Sequence, residues 1–231
     1  MNVPVEVRPA VLWPTILYTA AWPQHAQEAP GIIAHLYEQK AALETNIASG
    51  VAPGAKSRHG LFESHFQLLE SDHPGLAKLK AFLIEALRLA VASANNASGD
   101  LARICPRIVE SWFHITNDGG FHDSHYHNQC SWCGIYYLQA GEPAGMEAGG
   151  PGNGVNRFYS PLAAGGAYID YGNSYLRSNQ ADIVPSDGVA LLFPSYLLHS
   201  ALAYRGQHDR ITISFNSQVT LEAEASQRNS G

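Results

Sequence analysis

Apolar residues recur at helical spacing in two stretches of the N-terminal half. In 28–46 they are Ile32, Ile33, Leu36 and Tyr37, and in 74–95 they are Leu76, Leu79, Leu83, Leu87 and Ala90. Such positions share one face of a 3.6-residue repeat, so two amphipathic helices are expected. Ser71 and Asp72 stand before the second helix as cap candidates, and the run Asn95-Asn96-Ala97-Ser98-Gly99-Asp100 stops it. Residues 11–18, ahead of the first helix, are short, aromatic and β-prone, which predicts a strand. After residue 99 the texture changes. Stretches 107–116, 131–139, 155–159, 168–171, 188–193 and 210–219 are rich in β-branched and aromatic residues and are divided by Gly, Pro, Asn and Asp. Six or more short strands of this kind predict a sandwich or barrel. The expected organisation is one domain over 1–231. Residues 1–99 supply a strand and helices that cover one face, 100–222 form the β core, and 223–231 form a disordered tail. The Gly-rich piece 141–154 is expected to be the most mobile loop.

Composition narrows the classes. Of 231 residues, 15% are charged, below the roughly 25% of ordinary soluble domains. Eleven histidines stand against 14 Lys plus Arg, and the net charge is −6. That balance argues against a nucleic-acid partner, which needs a basic face. No apolar run approaches the roughly 20 residues of a membrane span, and Met1-Asn2-Val3-Pro4 does not open a signal peptide. A cytoplasmic protein is expected. Three cysteines are too few for a disulfide framework. Cys130 and Cys133 form one C-x-x-C, a weak zinc or redox signal without a second pair, and all three are read as buried core thiols.

The chemistry gathers around histidine. His114, His122, His125 and His127 fall close together, at or just before strands. In an extended chain His125 and His127 project from one face, about 7 Å apart, so both imidazoles reach one cation. Asp123 has the same parity. Downstream, a buried strand runs into Pro194, turns and presents a lone His199; eleven residues later Arg210 opens a strand of strict alternation. Ile211, Ile213 and Phe215 make its apolar face; Arg210, Thr212, Ser214 and Asn216 make the polar one. If the apolar face packs on the helices, the polar face lines the barrel. A buried guanidinium needs a counter-charge, and no carboxylate in that strand supplies it. A bound dicarboxylate would, through two parallel hydrogen bonds. An exposed Arg210 paired with Asp209, and a core His199, are the plainer readings. Trp112 and His114 share a strand face that either borders a pocket or packs the sheet, and His122 flanks the mouth.

These blocks resemble the 2-oxoglutarate- and iron(II)-dependent oxygenases. More narrowly, they resemble a bacterial and phage branch that reads His-x-His-Pro and Ser-Gly-x-Tyr-Tyr, then Phe-Pro-Ser-Trp-Leu-x-His and Arg-Ile-Ser-x-Ser-Phe-Asn. The counterparts here are His125-Tyr126-His127-Asn128 and Cys133-Gly134-Ile135-Tyr136-Tyr137. They are followed by Phe193-Pro194-Ser195-Tyr196-Leu197-Leu198-His199 and Arg210-Ile211-Thr212-Ile213-Ser214-Phe215-Asn216. Weaker similarity extends to 56–69 and Trp112. Asn128, Cys133 and Tyr196 depart from the pattern at packing positions. The resemblance implies a mainly β fold with flanking helices, a double-stranded β-helix (jelly-roll, cupin-like) barrel covered on one face. It implies a 2-oxoglutarate-dependent dioxygenase, with Fe(II) held by His125, His127 and His199 and with 2-oxoglutarate and O2 as co-substrates. Arg210 would anchor the far carboxylate, Thr212 or Ser214 would add a hydroxyl, and Tyr137 and Asn216 would complete the co-substrate wall. Oxidative decarboxylation to succinate and CO2 would then drive hydroxylation of a small molecule or peptide.

His127 stands where the superfamily has a carboxylate. The implied donor set is therefore three neutral imidazoles, whose uncompensated Fe(II) charge a 2-oxoglutarate dianion would neutralise. Three further arrangements remain open: Asp123 as third ligand, a site of His125 and His199 alone, and a three-histidine dioxygenase that needs no 2-oxoglutarate. A non-catalytic metal-binding jelly roll is the alternative outside enzymes. The sequence leaves a homo-oligomer open and expects no membrane partner.

Overall fold

The computed structural model describes residues 14–48, 55–142, 152–161 and 179–222. In chain order the elements are β1 (Tyr18–Ala21), α1 (His25–Ala48), β2 (Lys56–Arg58), β3 (Leu61–Glu63) and α2 (Pro74–Ala94). They continue with β4 (Ile104–Thr116), β5 (Gly120–His125), β6 (Trp132–Gln139), β7 (Asn156–Tyr159), β8 (Gln180–Ile183), β9 (Val189–Pro194), β10 (His199–Tyr204) and β11 (Arg210–Leu221). The strands form two antiparallel sheets. A major sheet has the order β1-β9-β6-β11-β4-β3-β2, and a minor sheet has the order β5-β10-β7-β8. This is the jelly-roll, double-stranded β-helix class expected from the sequence.

The alternation of β11 settles which side is which. Ile211, Ile213 and Phe215 are fully buried, and they pack with Phe113, Ile115, Tyr136 and Leu138 against Ile32, Leu36, Leu76, Leu79, Leu83 and Leu87 of the two helices. The outer face of the major sheet is thus the apolar face, as the period-2 pattern requires. A smaller cluster, Cys133, Ile135, Tyr137, Phe158, Leu191, Phe193 and Leu197, lies between the sheets. The rest of that inner space holds the polar face of β11 and a cavity lined by polar and apolar side chains. Beneath the helices, Gly134 faces Phe215 across the β6–β11 ladder, and a Cβ at Gly134 would overlap the phenyl ring. Gly134→Ala is therefore expected to cost about 1–3 kcal/mol by overpacking, read as a lower thermal midpoint. An unchanged midpoint would mean that Phe215 moves freely.

Several expectations need correction. The first strand lies at Tyr18–Ala21, after 14–17 rather than within 11–18, and residues 11–13 are outside the described residues. The N-cap of α2 is His73, whose Nδ1 accepts from Leu76 N at 3.3 Å; Ser71 Oγ accepts from His73 N instead, and Asp72 makes no cap. Only Cys133 is buried, whereas Cys105 and Cys130 are half-exposed. His199 follows β9 after a turn, as expected, and it also opens β10, paired with His125 on one side and Phe158 on the other. The strand expected at 168–171, the tail 223–231 and residues 143–151 of the Gly-rich loop lie outside the described residues. No helix among the described residues is long and apolar enough to cross a membrane.

Candidate active site

β5 and β10 of the minor sheet carry His125 and His199, His127 lies two residues past the end of β5, and β11 of the major sheet carries the cation. All face one cavity of about 270 Å³. Donor atoms of His125, His127 and His199 lie within 4.8 Å of one another, with ring centroids 4.4 to 5.3 Å apart. Each imidazole is fixed by its surroundings. His125 Nδ1–H donates to the Asp123 carbonyl at 2.7 Å and His199 Nδ1–H to the Leu197 carbonyl at 2.9 Å. Those bonds set the tautomer and leave Nε2 as the free lone pair, which is how proteins prepare a histidine for a metal. Phe158 and Phe193 hold the His199 ring from two sides, and Trp112 lies 5.9 Å from that of His127. The His127 backbone N–H donates to Ser195 O, tying the strand exit to the turn before β10.

Asp123 takes no part. Its backbone accepts from His125, while its side chain is exposed. The cause is a register shift. His199 pairs with His125, but Ala201 pairs with His122, so three residues of β5 match two of β10. The extra residue bulges, and Asp123 loses the parity that strict alternation would give it.

Burial dominates the electrostatics. Desolvation pushes His199 down from 6.5 to about 3 and His127 down to about 4, each helped by the neighbouring His125. It pushes His114 to about 4 against the pull of Glu63, and it also lowers His125. The imidazoles are neutral in the folded protein at pH 7, the protonation state a metal requires. In the unfolded chain they protonate near 6.5. Between about 4 and 6.5 the unfolded state therefore binds more protons, and stability falls as pH falls through that window. A chelator-treated sample is expected to show a lower denaturant midpoint at pH 5 than at pH 7. A midpoint that is flat or rises toward acid would refute this assignment.

Arg210 lies across the cavity and is 5% exposed. Its Nε donates to Ala140 O at 3.0 Å, one Nη donates to Gly154 O, and the guanidinium plane sits 4.3 Å from the Tyr204 ring centre. The other nitrogen, Nη2, is the buried side-chain polar atom that has no partner among the described residues. Asp209 is not its counter-ion: that carboxylate accepts from Tyr37 Oη and Asn117 Nδ2. Burial lowers the guanidinium to about 10, still charged at neutral pH.

The remaining positions divide. Thr212, Ser214 and Asn216 line the cavity with Arg210. The Thr212 hydroxyl lies 3.4 Å from His114 Nδ1, and Asn216 Nδ2 donates to Glu110 at 2.7 Å. Tyr137 is buried but is not among the lining residues; its hydroxyl donates to Asn156, which is, at 2.6 Å. Trp112, His114 and His122 line the cavity, so they border a pocket as well as the sheet. Glu63 also faces it, 3.1 Å from His114 Nε2 and 3.3 Å from His122 Nε2. Nothing in the sequence pattern singles out this carboxylate. It ends a three-residue strand aligned by a turn in which His59 and Gly60 both have positive φ, and no spacing links it to His114.

Comparison with known proteins bears on the fold and on one segment of the chain. Residues 110–216, just under half of the chain, match the family model described as "Putative 2OG-Fe(II) oxygenase". That segment contains all three clustered imidazoles and Arg210. No curated protein matches the chain. Among solved structures, a prolyl-4-hydroxylase from Pseudomonas putida is similar at 17% identity, TM-score 0.50, over 88% of this chain and 93% of that one. HygX from Streptomyces hygroscopicus, solved with nickel and 2-oxoglutarate, is similar at 12% identity, TM-score 0.52, over 88% and 83%. SnoK, a non-heme alpha ketoglutarate dependent carbocyclase from nogalamycin biosynthesis, gives 14% identity and TM-score 0.55 over 90% and 82%. The fold is the jelly-roll barrel that these structures share, and the matched segment is similar to the 2-oxoglutarate/iron(II) oxygenase family model.

Proposed function

We propose that the protein is a non-haem iron(II)- and 2-oxoglutarate-dependent dioxygenase that hydroxylates a small molecule or peptide. The observation that carries this reading is the Arg210 Nη2, which has no partner among the described residues and is buried in the same cavity as three convergent neutral imidazoles. An unpaired guanidinium nitrogen is costly to bury, and a dicarboxylate reaching from the imidazoles to Arg210 removes that cost. A three-histidine dioxygenase without 2-oxoglutarate leaves the same atom unexplained.

His125, His127 and His199 would hold Fe(II) through three nitrogens and leave other coordination positions open to the cavity. When bound, the iron and the 2-oxo acid supply the oxidising power by decarboxylation in the presence of O2. Everything else falls to the chain. Arg210 fixes the far carboxylate, with its other donors engaged by Ala140 and Gly154 so that the guanidinium cannot swing away. Ser214, on the same strand face, offers a hydroxyl to the cavity, while Thr212 is shared with His114. Tyr137 acts through Asn156, as a positioning residue. Phe66 and Phe121, both exposed at the cavity, give substrate an apolar rim.

Anaerobic addition of 2-oxoglutarate to the Fe(II) protein is the test. A visible metal-to-ligand charge-transfer band is expected, followed by succinate release when air and substrate are admitted. Neither band nor succinate would end this reading.

A further inference from the structure

Beside the three-imidazole cluster, Glu63, His114 and His122 form a second convergent set, and none of them serves the proposed iron as a ligand. Glu63 and His114 are buried and His122 is half-buried. Their donor atoms make a nearly equilateral triangle. His114 Nε2 is 3.0 Å from His122 Nε2 and 3.1 Å from Glu63 Oε2, and His122 Nε2 is 3.3 Å from that same oxygen. Nitrogen and oxygen ligands about 2.0–2.2 Å from a transition metal stand about 2.8–3.5 Å from each other in octahedral or tetrahedral geometry. All three edges fall in that window.

Protons alone do not explain the triangle. The Trp112 indole N–H, which can only donate, points at His114 Nε2 from 3.1 Å. That nitrogen then carries a lone pair, and its ring proton sits on Nδ1, facing the Thr212 hydroxyl at 3.4 Å. His114 therefore cannot donate to Glu63, and a nitrogen lone pair meets a carboxylate oxygen at 3.1 Å. A single proton on His122 Nε2 relieves one edge and leaves another repulsive. A cation at the centre would take that lone pair in place of the Trp112 N–H and hold all three donor atoms by attraction to itself. Lys56 takes the other carboxylate oxygen, Oε1, at 3.0 Å and leaves Oε2 turned toward the imidazoles.

We propose that Glu63, His114 and His122 bind a second divalent transition-metal ion, of the zinc or ferrous type, next to the His125/His127/His199 cluster. Two imidazoles and one carboxylate favour such borderline ions over calcium or magnesium, which take oxygen ligands. The carboxylate gives this site a negative charge that the three-histidine cluster lacks. The two sets are neighbours, with the His122 and His125 rings 5.7 Å apart. All three ligands line the cavity, so open positions on the ion face the space where substrate would sit. There it would act as an electrostatic anchor for an oxygen- or nitrogen-bearing group of the substrate.

Metal counting tests the proposal without turnover. Chelator-stripped full-length protein is titrated with Co²⁺, followed by its visible bands, and with Zn²⁺, followed by calorimetry and elemental analysis after desalting. Two equivalents are expected for the wild type and one for His199→Ala, which removes the other cluster. In His122→Asn the second equivalent is expected to be lost or weakened at least about tenfold. Glu63→Gln should behave alike; because Glu63 is buried and its variant risks misfolding, the half-buried His122 decides the question. Saturation of the wild type at one equivalent, or a second equivalent undiminished in His122→Asn, overturns the proposal. Either outcome leaves the 2-oxoglutarate reading untouched, since that rests on the charge-transfer band and succinate release.

Discussion

Replacing Arg210 with alanine is expected to weaken 2-oxoglutarate binding about 100-fold while Fe(II) binding stays within a few-fold of the wild type. The side chain is 5% exposed, and its Nη2 amino group has no partner among the described residues. A buried charge-assisted bond to a carboxylate contributes on the order of 3 kcal/mol, which is about two decades in affinity. The same substitution frees the Ala140 and Gly154 carbonyls, so some loss of stability is expected. It also removes a buried cation that has no carboxylate partner among the described residues, which offsets part of that loss. Arg210→Lys should recover little, because an ammonium cannot hold two backbone carbonyls and a carboxylate in one plane. The measurement is the charge-transfer titration with iron content determined in parallel. Equal loss of iron and 2-oxoglutarate would show that Arg210 shapes the whole site rather than binding the co-substrate.

His199→Ala is expected to lower Fe(II) affinity by more than about 100-fold and to abolish succinate formation at micromolar iron. Even partners that only orient a ligand are worth roughly 10- to 100-fold, and His199 is itself a buried donor set between two phenylalanines. His127→Asp should behave in the opposite way. It converts the neutral donor set to one bearing a negative charge, so iron is retained and its affinity altered. If His127→Ala and His199→Ala differ, with iron lost only in the second, then His127 is a neighbour of the metal and not a ligand.

Much of this arrangement can be read from the chain because the relevant strands obey simple alternation. Ile211, Ile213 and Phe215 on one side of β11, and Arg210, Thr212, Ser214 and Asn216 on the other, separate core from cavity without any structure. The helices announce themselves by the same logic at a different period. β5 is not legible. Its inward positions carry His122 and His125 in place of apolar side chains, so the hydrophobic signal of a strand is missing. Its bulge also breaks the parity that would make Asp123 a ligand. Glu63 is invisible for another reason: it meets His114 and His122 only through the β3–β4 pairing, a contact between distant parts of the chain. The role of His73 as helix cap illustrates the same limit at short range. An imidazole does there what Ser71 or Asp72 would do by composition.

The separation of the two apolar clusters has a practical consequence. Most of the buried hydrocarbon lies between the helices and the outer side of the major sheet, while the space between the sheets holds a smaller apolar cluster, the polar face of β11 and the cavity. Substitutions at the rim, at Phe66, Phe121 or Leu202, therefore leave the helix–sheet core intact. A barrel built this way can be re-targeted by mutagenesis of its lining without first being stabilised, which makes it a suitable starting scaffold for directed evolution of new oxidation substrates.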